Sequence, residues 1–121
     1  MPSQKEMKIT TWNARGLNAP SKKRLVKRNL KSFDSDIVII QKTKLNNDEA
    51  IKLDKMLGLW NSLFQEFVGA SGGLGVFWNP KKVSLSCLYQ CSNWISASVN
   101  SLKFDLQFIL INVYGQISYR D

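Results

Sequence analysis

Ile37-Val38-Ile39-Ile40 constrains this chain more than any other stretch. Four β-branched residues in a row do not give the alternating pattern of a half-exposed strand. They read as a strand buried on both faces. Gln41-Lys42-Thr43-Lys44 follows at the strand's carboxyl end, where ligands and chemistry usually sit in open α/β sheets. Two lysines and no acid occupy that edge.

The preceding residues build towards this strand. Met7 to Trp12 alternates and is rich in β-formers, which predicts a strand. Asn13 to Pro20 is loop chemistry, and Ser21 is a plausible helix N-cap. From Ser21 to Phe33, Val26, Leu30 and Phe33 share one face with Leu25 beside them, while basic residues take the others. That predicts an amphipathic helix and, with Ile37 to Ile40, a β–α–β unit. Asn46 to Glu49 marks a second helix start, with Gly58 as its C-cap.

Beyond Gly58 the pattern changes to short alternating or apolar segments: LFQEFVG, GLGVFWN, VSLSCLYQ, NWISASVN and KFDLQFILINVYG. Gly, Asn-Pro and Asn-Ser turns separate them, which is the spacing of consecutive antiparallel strands. The expected fold is therefore α/β in front and a β-meander behind, a mixed and mostly antiparallel sheet with helices on one face. The last segment is the most hydrophobic and is expected to be central. Little chain follows it to cover the sheet's other face, so residues 1–121 are expected to form an incomplete domain. A bare sheet face of that kind seeks a partner, so self-association through it is expected.

A length of 121 residues fits one domain or part of one. No stretch reaches the roughly 18 uninterrupted apolar residues that a bilayer span needs, and no membrane partner is expected. The opening MPSQKEMKITTWN lacks an apolar signal-peptide core. An intracellular protein, nuclear or cytoplasmic and not secreted, is expected. Net charge is +8, and 13 of the 17 Lys and Arg lie in the first 55 residues with six acids among them. A basic half points to a polyanionic partner, most often nucleic acid, or to nothing more than a solvated surface. Cys87 and Cys91 are expected to share one strand face about 13 Å apart, too far for a disulfide. The chain has no histidine to help them hold zinc.

Three clusters fall at predicted strand ends: Trp12 to Leu17, Gln41 to Lys44, and Asn112 to Gly115. Their Asn, Gln and Tyr side chains suit oxygen ligation or hydrogen bonding, and Arg15, Lys42 and Lys44 suit phosphates. Each residue taken singly also has a routine structural reading. Gly69 to Gly75 resembles a phosphate cradle, yet no Gly-Lys-Ser/Thr closes it and no helix follows. A glycine-rich turn entering a strand is the better reading. The helix face with Lys22, Lys23, Arg24, Lys27, Arg28 and Lys31 suits phosphate binding through counterion release, or is a solvated face.

In order, WNARGLNAPSKKR, a buried strand ending in QKTKL, GASGGLGVFWNP and INVYG resemble the endonuclease/exonuclease/phosphatase family. The resemblance is closest to the amino-terminal endonuclease domain of plant LINE-type retrotransposons, and it runs from Met7 onward. It implies a four-layer α/β sandwich of two facing sheets, of which this chain supplies the first half. It implies DNA as the partner and magnesium as the family's cofactor. It places Asn13 in the active site and Tyr114 against the scissile phosphate, both vestigial here. Lys42 stands where the family's QET glutamate binds the metal, and Lys44 matches the basic residue after it. Arg15, Lys23, Lys27, Arg28 and Lys44 are the expected nucleic-acid contacts. The family's GD-F-N and S-D-H motifs are absent from this sequence.

Phosphodiester cleavage by this route needs a divalent ion and an activated water, and magnesium prefers carboxylate, water and phosphate oxygens. An ammonium in place of a carboxylate removes a ligand and adds a like charge. At about 4 Å and an effective dielectric near 20, each unit-charge interaction is worth about 4 kcal/mol. Magnesium is therefore not expected to bind productively, and the chain is expected not to cut DNA. The alternatives are a non-enzymatic basic nucleic-acid-binding module and a relic without a selected role.

Overall fold

A computed structural model of the chain describes residues 7–17, 19–32, 35–58, 60–68 and 72–113. In chain order its elements are β1 (Ile9–Asn13), α1 (Pro20–Ser32), β2 (Ile37–Gln41), α2 (Asn47–Leu57), β3 (Asn61–Gln65), β4 (Leu74–Trp78), β5 (Val83–Gln90), β6 (Trp94–Ser101) and β7 (Gln107–Val113). The first four strands form one sheet in the order β1-β2-β4-β3, and the last three form a second in the order β5-β6-β7. β1 runs parallel to β2, whereas β4 is antiparallel to both β2 and β3. The second sheet is antiparallel throughout.

Alternation along β2 explains the layering. Val38 and Ile40 pack with Val26 and Leu30 of α1 and with Leu53 and Leu57 of α2. Ile37 and Ile39 point the other way, onto Val83, Ile95, Val99 and Leu110 of the second sheet. All four are buried, as a strand between two layers requires. Each such side chain contributes about 1.5–3 kcal/mol by leaving water. A polar substitution at Val38 or Ile40 would therefore be felt in the core under the helices, and one at Ile37 or Ile39 in the core between the sheets.

The helices form for local reasons. Pro20 opens α1, where a missing N–H costs nothing. The Ala19 carbonyl accepts from the amides of Lys22 and Lys23 at 3.0 and 3.2 Å. The helix thus starts before Ser21, which is not its cap. Phe33 lies outside the described residues. Asn46 caps α2 in a reciprocal box with Glu49, and Gly58 follows the last turn at φ 69°. Among the described residues no helix is long and apolar enough to cross a membrane.

Several sequence expectations need correction. The meander does not extend the front sheet: β3 and β4 join β1 and β2, while β5, β6 and β7 form the second sheet. β3 begins at Asn61, two residues earlier than its pattern predicts, and Glu66 instead accepts from the Asn47 amide at 3.2 Å. β7 is an edge strand, not a central one. Its Leu110 is buried, but Ile109 and Ile111 are 63% and 60% exposed on the outward face. Hydrophobicity on both faces of a strand does not by itself fix its place in the sheet order.

The cysteine geometry also changes. Cys87 pairs with Ala97 and Tyr89 with Ser96, so Leu88 is an extra residue in a β-bulge. The bulge inverts the alternation, and Cys91 lies beyond β5 in the turn, its amide bonded to the Trp94 carbonyl at 2.9 Å. Both thiols are free.

Candidate functional site

The carboxyl ends of β1, β2 and β3, the start of β4 and the end of β7 meet at one end of the sandwich. Asn13 sits opposite Gln41 in the β1–β2 register, and the Ala14 amide donates to the Gln41 carbonyl at 3.0 Å. Gln41 reaches across the sheets, its Nε2 donating to the Val113 carbonyl at 2.9 Å. The structure thus brings Asn13, Gln41, Lys42 and the end of β7 together. Tyr114 lies outside the described residues.

The backbone here is unusual. Arg15, Lys42 and Lys44 have φ of 52°, 57° and 53°, and they are the positive-φ non-glycine residues among those described. A left-handed conformation costs an L-residue about 1–2 kcal/mol. Main-chain bonds hold it in place: Gly16 N donates to Lys42 O at 2.7 Å, Leu17 N to Thr43 O at 2.8 Å and Lys44 N to Gly72 O at 2.6 Å. At about 0.5–1.5 kcal/mol net each, these bonds offset strain of that size. The side-chain oxygen of buried Thr43 and the backbone of two glycines fill the space beneath. A Cβ on Gly72 would lie 3.2 Å from the Lys42 Cα, and one on Gly73 (φ 85°) 2.5 Å from the Thr43 Oγ1. The glycine stretch is therefore a support for the Lys42–Lys44 turn. Its carbonyls, not its amides, face that turn, which is unlike a phosphate cradle; Gly69, Ala70 and Ser71 lie outside the described residues.

Lys42 is half-buried, whereas Asn13, Arg15 and Lys44 are exposed at this end. Lys23, Lys27 and Arg28 are elsewhere. They belong to α1, which packs on the face of the first sheet away from the second. The helix starts at the site's end, but Lys27 and Arg28 lie seven and eight residues further on, roughly 10–12 Å along the axis at about 1.5 Å per residue. Ser21, Lys22, Arg24, Leu25 and Arg28 line a shallow groove there.

One strand-end amide of the sequence turns out to have a structural role instead of a ligand-binding one. Asn112 is 1% exposed, and its Nδ2 donates to Ile40 O at 3.4 Å and Gly75 O at 3.2 Å. It ties β7 to both central strands of the first sheet. Its Oδ1 is buried without a partner among the described residues. The usable signal is parity: in Phe108, Leu110, Asn112 a polar side chain takes the third core-facing position.

The donor set at this end does not fit magnesium. Lys42 brings an ammonium, and Gln41 (whose Nε2 donates to Val113), Asn13 and the buried Asn112 Oδ1 offer only neutral amide oxygens, where magnesium favours carboxylates. Among the described residues no group of three or more His, Cys, Asp or Glu is placed to hold a metal ion. No catalytic step follows from these residues through a metal.

No protein-family model matches the sequence. No curated protein matches it either. Solved structures do match. An AP endonuclease from Leishmania major superposes with a TM-score of 0.68 at 18% identity, over 89% of this chain and 40% of that one. D. rerio TDP2, in complex with a single-strand DNA product, gives 0.66 at 19% identity over 89% and 45%. The 3' phosphatase NExo from Neisseria, bound to a product DNA hairpin, gives 0.62 at 26% identity over 90% and 41%. The chain spans less than half the length of these structures. What it shares with them is the fold: two helices, a mixed sheet and an antiparallel sheet that match about half of the sandwich of endonuclease/exonuclease/phosphatase-type proteins.

Proposed function

We propose that this chain is part of an endonuclease domain of LINE-retrotransposon type that has lost phosphodiester cleavage. Its ancestor was a magnesium-dependent, DNA-cutting enzyme that worked inside the cell. The observation that carries the reading is Lys42. It follows β2 directly, beside Asn13 and the end of β7, at the position where the family's motif has its metal-binding glutamate. The sandwich shared with the AP endonuclease and NExo structures supports the nuclease ancestry. The motif order WNARG, QKTK, GGLG and NVYG supports the retrotransposon type. The GD-F-N and S-D-H motifs do not occur within these 121 residues.

Nicking of supercoiled plasmid with magnesium tests this directly. The chain is expected to leave the plasmid intact, and Lys42→Glu alone is expected to restore nothing. Magnesium-dependent nicking that Lys42→Ala abolishes would overturn the proposal.

A second reading is favoured by one observation. Lys22, Arg24 and Arg28 line one groove on α1, and no acid lies in that helix's first turn. On this reading the basic half binds nucleic acid without cutting it.

A further inference from the structure

The bulge in β5 re-aims one side chain. Cys87 pairs with Ala97, which is buried between the sheets, so a regular strand would turn Tyr89 towards that same inner face. The extra residue at Leu88 sets Tyr89 opposite Ser96 instead. Ser96 lies between buried Ile95 and Ala97 and faces outward, as does Trp94 two residues before it. Tyr89 and Trp94 therefore meet on the outer face of the second sheet, their ring centroids 5.8 Å apart and their planes at 42°. The rings are 56% and 41% exposed and belong to neither core.

The pair stands at the candidate site's end of the sandwich. A short turn joins β5 to β6 there, closed by the Cys91 amide on the Trp94 carbonyl at 2.9 Å. Trp94 is opposite Val113, whose carbonyl accepts from Gln41 at the end of β2. Lys42 follows Gln41, and Arg15 and Lys44 are exposed at the same end. Sheets pack about 10 Å apart and strands about 4.8 Å apart, so roughly 15 Å separates the rings from the cations. No charged residue occurs in β5, β6 or β7, so no carboxylate on these strands repels an anion. A pair that only steadied the hairpin could sit on either face. The bulge puts this one in solvent, beside cations.

We propose that Tyr89 and Trp94 form a stacking platform for unpaired bases of a single nucleic-acid strand, whose phosphates meet Arg15, Lys42 and Lys44. Aromatic rings take bases face to face with little regard for sequence, while nearby cations hold the backbone. A duplex is the poorer occupant, because its base faces are already covered by their neighbours. The platform rests on the reading that the chain binds nucleic acid, and it names the form bound and the surface that binds it.

Fluorescence anisotropy without magnesium compares two labelled probes: a thymidine oligonucleotide of about ten units and an oligomer of equal length built from abasic units. The base-bearing probe is expected to bind about tenfold more tightly or better, and to quench tryptophan emission. Trp94→Ala and Tyr89→Ala are each expected to remove most of that difference, and Trp94→Phe to keep it. Leu102→Ala, exposed at the other end of the second sheet, is expected to change neither affinity. Circular dichroism verifies that each variant folds. Equal affinity for the two probes would overturn the platform and leave binding through phosphates alone. No binding of either probe would overturn the nucleic-acid reading with it. A base preference that persists in both alanine variants, or tighter binding of a duplex of equal length, would also overturn the platform.

Discussion

Gln41 donates its side-chain amide to the carbonyl of Val113, joining the last residue of β2 to the end of β7 across 72 positions of sequence. One residue earlier, Asn112 makes the reverse connection, from the second sheet to the first. Two amide side chains, one from each sheet, therefore close the sandwich at the end where the candidate site lies.

The buried member of this pair carries the larger stability effect. Asn112→Leu removes both donated bonds and also the orphaned oxygen, and it is expected to cost about 1–3 kcal/mol. Asn112→Asp sets a buried carboxylate against two carbonyl oxygens and is expected to cost more, about 3–5 kcal/mol. Urea unfolding of the three proteins gives the order, and an Asp variant as stable as the parent would refute the clamp.

Gly73 and Gly58 separate space from conformation. Both have positive φ, but a Cβ on Gly58 meets nothing within 4 Å, whereas one on Gly73 strikes the Thr43 hydroxyl. Gly58→Ala is expected to cost only the left-handed backbone penalty, about 1–2 kcal/mol. Gly73→Ala adds a steric clash beneath the Lys42–Lys44 turn and should lie at or beyond the upper end of the usual range for point variants, about 3 kcal/mol. Equal melting temperatures for the two variants would show that the turn yields.

Lys44 offers the opposite sign. It is exposed with φ 53°, so Lys44→Gly relieves backbone strain while loosening the unfolded chain. The balance is a gain of up to about 1 kcal/mol. Lys52→Gly, on the exposed face of α2, is expected to lose about 1 kcal/mol. Thermal melts distinguish the two, and a destabilised Lys44→Gly would mean that this turn is not strained.

The basic helix gives a prediction read in salt. If α1 holds a nucleic-acid backbone, affinity falls linearly on a log–log salt plot. Neutralising Lys23, Lys27 and Arg28 together should lower the slope by about 0.7–0.9 for each phosphate that the helix no longer neutralises. Binding that is insensitive to salt, or unchanged in the triple variant, would exclude α1 as the binding surface.

Much of this architecture is legible in the sequence because it is local. The β–α–β unit follows from Ile37–Ile40 and the apolar face of α1, and the start of α2 is written in Asn46 and Glu49. What is not legible is long-range. Residue patterns predict strands, but nothing in LFQEFVG or GLGVFWN says that these strands join the first sheet and not the second. The Leu88 bulge has no signature in VSLSCLYQ, since an extra residue leaves local composition unchanged. At the site, Lys42 stands out because two lysines follow a buried strand. Asn112 is visible there only as a strand-end amide; its clamp between the sheets is not, because its partners are carbonyls 37 and 72 residues away.

The turn at Lys42 has a consequence for how such a site ages. The Gly16 amide, bonded to the Lys42 carbonyl, and Gly72, packed against the Lys42 Cα, fix the position without consulting the end of its side chain. An acid, an amide or an amine can occupy the same address with the same main-chain partners. Chemistry at residue 42 is thus free to drift while foldability is preserved, and selection for a folded chain alone would not notice the exchange. A lineage can lose the reaction here and leave no scar in its architecture.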